Sequence, residues 1–254
     1  MLLTPIACSA ILAHQWRWTE LATLTAAFAA LAAKDPLVVL ARQRFVWKQR
    51  RPETATAVRW LAGWATLLAA SGLVLVATWP FKILAAMGCG LGLFFALAIA
   101  VNVSNRQRST VFQIASAAAL TSTSVATALS ATGGIAPWCL WLWLLMAMQA
   151  TAGILVVHAR LDARIALRAA TPAPSPFRRA ALVALAVLLS AALAATFLRR
   201  VSIALALAVV LAGYALDLHR QRNPEALQLP LRKVGLRALA LSCLYAALLI
   251  VGLW

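Results

Sequence analysis

The sequence predicts an all-α membrane protein: a polytopic transmembrane helical bundle of about nine helices, N-terminus inside and C-terminus outside. Three observations predict it. The 254 residues are 64% hydrophobic and 11% charged, against roughly 45–50% and about 25% in soluble domains. Apolar runs of bilayer length follow one another along the whole chain. Lys and Arg gather in alternate connections between them. A water-soluble fold of this size has no way to hide so much apolar surface.

The apolar segments run over residues 1–14, 18–33, 58–78, 83–101, 110–131, 135–157, 180–198, 201–217 and 234–254. A span needs about 20 apolar residues, which most of these supply. The segment 1–14 is short. It lacks a basic leading stretch, so it reads as a retained anchor rather than a cleaved signal. Trp16, Arg17 and Trp18 mark an interfacial turn between the first two segments. Pro80 and Lys82 part the third from the fourth, and Gly133, Gly134 and Pro137 part the fifth from the sixth. The alternating prolines of 171–176 exclude a helix there. Residues 1–254 read as a single transmembrane domain without a soluble module.

Orientation follows from the cations. The connection after the second segment carries Lys34, Arg42, Arg44, Lys48, Arg50, Arg51 and Arg59, and that after the fourth carries Arg106 and Arg108. The sixth is followed by Arg160, Arg164, Arg168, Arg178 and Arg179, and the eighth by Arg220, Arg222, Arg232, Lys233 and Arg237. The intervening connections hold Arg17, Lys82, Arg199 and Arg200. Positive charge marks the cytoplasmic side, so the chain reads as a multi-pass membrane protein with its basic connections inside. Tryptophan agrees: Trp16, Trp18, Trp79, Trp138 and Trp254 fall at the expected outer interface, with Trp141 and Trp143 just within it, and Trp47, Trp60 and Trp64 fall near the inner one.

The net charge of +17 points to anionic lipid head groups as partners. Nucleic acid is not expected, because the cations sit in short runs between spans. Cys8, Cys89, Cys139 and Cys243 stand singly, and His14, His158 and His219 are isolated, so neither a zinc site nor a redox pair is indicated. No HExxH, P-loop or GxSxG occurs. No cofactor is expected. Glu20 is placed at the outer face, and Asp35, Glu53, Asp162, Asp217 and Glu225 at cytoplasmic helix ends. With no carboxylate near a midplane, a proton-driven carrier is disfavoured.

A polar site therefore belongs at the cytoplasmic mouth. The candidate head-group residues are Lys34, Asp35, Arg106, Arg108, His158, Arg160, Asp162 and Arg164. His158 and Asp162 are spaced to touch along a helix, and Arg160, Arg164 and Arg168 form one stripe. Arginine grips phosphate with two parallel hydrogen bonds, so a lipid phosphate or diphosphate head suits this cup. The alternative is side chains snorkelling at helix ends. Gln113, Ser116, Thr123, Thr127 and, on the next helix, Gln149 form a second polar set. It serves close packing of helices or lines a solute cavity, as in a small-solute transporter.

Several short stretches resemble the YwiC-like family of bacterial integral membrane proteins. They are the opening Met-Leu-Leu-Thr-Pro-Ile, Lys34-Asp-Pro-Leu-Val-Val-Leu-Ala-Arg42, Asn105-Arg-Gln-Arg108, Val157-His-Ala-Arg160 and Pro230-Leu-Arg-Lys-Val-Gly-Leu-Arg237. The family's His-Gly-Ala-Trp motif is missing, and the chain starts where that motif would end. The expectation is a start placed too late or a motif lost. More distantly, the layout resembles UbiA-type prenyltransferases, which also have nine helices and active-site loops after helices two and six. That likeness implies a prenyl-transfer alternative, with Asp35 and Asp162 standing where those enzymes carry Asp-rich magnesium motifs.

Overall fold

The computed structural model describes residues 3–49, 52–103, 109–169 and 175–254. Among them every regular element is a helix. In chain order they are α1 (Leu3–Leu12), α2 (Trp18–Arg42), a π-helical turn (Gln43–Trp47), α3 (Glu53–Thr78), α4 (Phe81–Val103), α5 (Thr110–Thr121), α6 (Thr123–Thr132), α7 (Pro137–Ala169), α8 (Pro176–Phe197), α9 (Val201–Arg220), α10 (Pro224–Leu227) and α11 (Leu231–Leu253). Eight helical stretches are long and apolar enough to cross a bilayer. The segment expected over 1–14 is the ten-residue α1, about 15 Å long and so half a membrane deep.

Local chemistry sets the ends. Glu20 turns back so that its Oε1 accepts from the Arg17 backbone N–H at 3.2 Å, closing the first turn of α2. Glu20 is 3% exposed there. Ser109 and Ser175 cap α5 and α8 through their hydroxyls. Gly133, at φ 77°, ends α6 in the left-handed conformation, its N–H bonded to the Leu129 carbonyl at 2.8 Å.

Two helices outrun their expected limits. The second segment does not end at Lys34-Asp35. It continues through Pro36 to Arg42, and the π-turn carries it to Trp47. The apolar residues Leu37–Ala41 follow the charged pair without a helix-ending signal, so the helix carries on beyond it. The sixth segment continues past 157 to Ala169 as part of α7, so the stripe from His158 to Arg168 is helical.

The fifth span is interrupted at Ser122, where α5 gives way to α6. The hydroxyls of Thr121, Ser122, Thr123 and Ser124 each bond to a carbonyl three or four residues back. Trp143 Nε1 donates to the Ala118 carbonyl at 2.9 Å and Ser9 Oγ to that of Ser124 at 2.7 Å. A helix break is tolerated at membrane depth when neighbours bond to the backbone around it.

The largest buried cluster joins α7, α8, α9 and α11 with α1, around Leu142, Leu188, Leu207, Tyr245 and Leu249. A polar thread runs through it: Gln149 Nε2 donates to Tyr214 Oη and Ser242 Oγ, both at 2.9 Å, and Tyr245 Oη to the Leu145 carbonyl at 2.9 Å. Gly153 admits the Tyr214 phenol against the α7 backbone, since a Cβ there would lie 2.7 Å from Oη. A smaller cluster joins α3 and α6 through Leu75, Trp79, Ala126 and Leu129. Trp79 is 7% exposed and donates Nε1 to Ser130 Oγ at 3.2 Å, so it packs inside instead of anchoring at an interface. Outward faces are apolar throughout: Trp60, Leu73, Leu93, Val183 and Leu193 all lie exposed. Such surface is stable in lipid and not in water.

Candidate functional site

The turns and helix ends carrying most of the cations share one end of the bundle. Contacts between elements hold that end together. Arg42 donates to the Asn102 carbonyl, joining α2 to α4. Arg160 pairs with Asp217, joining α7 to α9, and Gln221 donates to the Val156 carbonyl at 3.3 Å. At the opposite end the His14 and Trp254 rings meet edge to face at 4.0 Å, and Thr19 Oγ1 donates to the Ser130 carbonyl at 2.7 Å.

The expected head-group residues are not all gathered. Lys34 and Asp35 form an adjacent ion pair at 3.6 Å on the side of α2, with Asp35 83% exposed. Arg106 and Arg108 lie outside the described residues. His158 and Asp162 bond to other groups. Nδ1 of His158 meets the Ile154 carbonyl of its own helix at 2.9 Å while its ring packs on Phe177, and Asp162 Oδ2 accepts from Ser175 Oγ at 2.7 Å.

Arg160 is committed to the protein. Its side chain is 4% exposed, with Nη1 on Asp217 Oδ1 at 3.3 Å and Nη2 on the Ala226 carbonyl. The guanidinium thus pins α10 and α9 to α7. Arg164, one turn further along, is half-buried.

Beside this clamp lies a cavity of about 300 Å³, bounded by α7, α8 and the end of α9. Asp162, Ser175, Arg178, Arg179 and Gln221 supply its polar lining, and Ala159, Ala163 and Leu182 the rest. Ser175 does two things here. It caps α8 by accepting from the Arg178 N–H, and its own proton goes to Asp162. The carboxylate is therefore tied to the start of α8, next to two arginines whose side chains are exposed. The N-terminal turn of a helix adds partial positive charge at that point. The chemistry available is capture of a phosphate by two arginines, with a carboxylate to orient them. Sequence reasoning placed Arg178 and Arg179 in a basic connection without assigning them to the site. The signal was their position just after Pro176, at the start of a helix.

Most of the second polar set is hydrogen-bonded within the bundle. Ser116 and Thr127 bond to carbonyls on their own helices and Thr123 to the Leu120 carbonyl across the α5–α6 break, Thr127 is 1% exposed, and Gln149 is held by Tyr214 and Ser242. Gln113 is half-buried on α5. Neither the α7–α9 cavity nor the one at the end of α2 includes any of these five residues in its lining. A magnesium–diphosphate centre of the UbiA type is a poor fit to this chain: among the described residues no three His, Cys, Asp or Glu side chains are grouped.

Helices of membrane length, apolar outward faces and one cation-rich end define a multi-pass integral membrane protein. Comparison with protein families makes the assignment specific. The chain belongs to the YwiC-like protein family, whose model matches residues 1–128. The match takes in α1 to α5 and part of α6 and stops short of α7, which carries His158, Arg160, Asp162 and Arg164. No curated protein and no solved structure matches the chain.

Proposed function

We propose that this protein binds a phosphate-bearing lipid, an isoprenoid diphosphate or an anionic phospholipid, at the basic end of its bundle. In this reading the chain is one transmembrane unit in a bacterial inner membrane, with that end toward the cytoplasm and Trp254 outside. The observation that carries the proposal is the cavity where Arg178 and Arg179 flank Asp162 beside lipid-facing helix surface. Two guanidiniums present fixed donor forks to a phosphate, and its acyl or prenyl chain extends along the apolar flank of α8. Asp162 and Arg164 orient the arginines and the incoming charge, and His158 supports Phe177 at the rim.

The test is the lipid that travels with the protein. The chain is extracted in an uncharged detergent, and its bound lipids are weighed by native mass spectrometry. An anionic lipid is expected on the wild type and is lost from the Arg178→Ala, Arg179→Ala double variant. Equal lipid content in the two samples would refute the assignment.

A further inference from the structure

A second cavity lies at the far end of α2, apart from the α7–α9 cavity and independent of its reading. The π-turn Gln43–Trp47 ends at Lys48, which sits at φ 51°. A lysine in this left-handed region is uncommon, and π-turns recur at functional sites. The turn meets the start of α3 through Gln43 and Thr54 and borders an open cavity of about 430 Å³. Leu40, Gln43, Arg44, Lys48, Gln49 and Thr54 line this space. There is no carboxylate among them.

The floor is an amide fixed in one orientation. Thr54 Oγ1 donates to Gln43 Oε1 at 2.6 Å. With the oxygen turned to Thr54, the other amide atom, Nε2, is a pure donor. Gln43 is 6% exposed, and its Nε2 is buried without a hydrogen-bond partner among the described residues. A buried donor without an acceptor is costly, and native structures seldom leave one without a reason. Here it lies beneath two cations, Arg44 and Lys48, and near the N-terminal turn of α3, where the helix dipole favours negative charge. We infer that this cavity binds a phosphate-bearing anion, whose oxygens accept from Gln43 Nε2 while Arg44 and Lys48 neutralise its charge.

The phosphate belongs either to a soluble diphosphate or to a lipid, and two probes separate these sources. Full-length protein in an uncharged detergent is titrated calorimetrically with pyrophosphate. The same protein in phosphatidylcholine nanodiscs, with and without phosphatidic acid, is examined by native mass spectrometry. The informative variant is Gln43→Glu. It keeps side-chain length and the acceptor for Thr54, so the fold is retained, but it replaces the donor with negative charge. Saturable binding of at least one probe to wild type is expected, weakened about tenfold or more by Gln43→Glu. Arg44→Ala with Lys48→Ala weakens it likewise, and both comparisons are repeated in an Arg178→Ala, Arg179→Ala background, where the α7–α9 cavity no longer contributes and the same weakening is expected. Pyrophosphate binding assigns a soluble ligand, and binding of phosphatidic acid alone assigns a lipid. The inference is overturned if wild type binds neither probe or if Gln43→Glu binds as wild type does. It is overturned equally if only the Arg178 and Arg179 pair matters.

Discussion

Replacing Asp217 with alanine strands the Arg160 guanidinium. Nη1 and Oδ1 are 3.3 Å apart, and the two side chains are 4% and 26% exposed. At that separation two unit charges attract by about 5 kcal/mol in an effective dielectric of about 20. Water reaches the carboxylate, which lowers the net value. What remains is dominated by leaving the arginine buried and uncompensated, about 3 kcal/mol. On the scaling of soluble domains this size, that lowers the melting temperature by about 6–12 °C. The assay is thermal unfolding in a single detergent, followed by size-exclusion of the surviving monodisperse protein. Asp35→Ala is the control, because that carboxylate is 83% exposed and its pair is worth little. Arg160→Met combined with Asp217→Ala removes the stranded charge and is expected to melt above Asp217→Ala alone. If Asp217→Ala melts with the control, the clamp contributes nothing and Arg160 becomes available to a ligand.

Gly153→Ala drives a methyl into Tyr214 Oη and disturbs its bond with Gln149; the same melt is expected to show a loss of about 1–3 kcal/mol. Gly63→Ala, with nothing within 4 Å of the new methyl, is expected to be neutral or slightly stabilising. Ser9→Ala removes one bond to the backbone beside the α5–α6 break and is expected to cost only about 0.6 kcal/mol, the average for such bonds in membranes. Orientation is checked by thiol labelling of intact cells in a cysteine-free background. An impermeant reagent is expected to modify Gly134→Cys and spare Asn223→Cys, and the reverse pattern would invert the topology.

The spans were legible because a bilayer imposes one coarse rule on every helix, and that rule is written in composition. Segments such as 58–78 and 180–198 reappear as α3 and α8 with only their ends extended. Helix ends were harder to read. Lys34-Asp35 looked like a terminus because charge in an apolar run signals an interface, yet both side chains lie on the flank of a helix that the following apolar turn continues. Charge after Val157 likewise read as a connection, although arginines at helical spacing also fit the continued α7. The site was legible only in outline. Arg160 was singled out with its neighbours, but its partner stands 57 residues away, and nothing local distinguishes a buried arginine from an exposed one. Gln43 gave no signal at all. Its burial depends on Thr54 arriving from another helix, a tertiary fact that neither periodicity nor charge encodes.

The fourth span shows how unevenly the protein is held together. Only 6% of its most apolar stretch is buried against the rest of the chain. Lipid tails are as apolar as its own side chains, so no hydrophobic force presses it onto its neighbours. What fixes this helix is the thickness of the surrounding hydrocarbon, the short link to α3 and the Arg42 bond to the Asn102 carbonyl. Transfer into a micelle removes the first of these constraints. The α2–α3–α4 side is then the place where extraction loosens the molecule first, while the interlocked α7–α11 group still behaves as a unit.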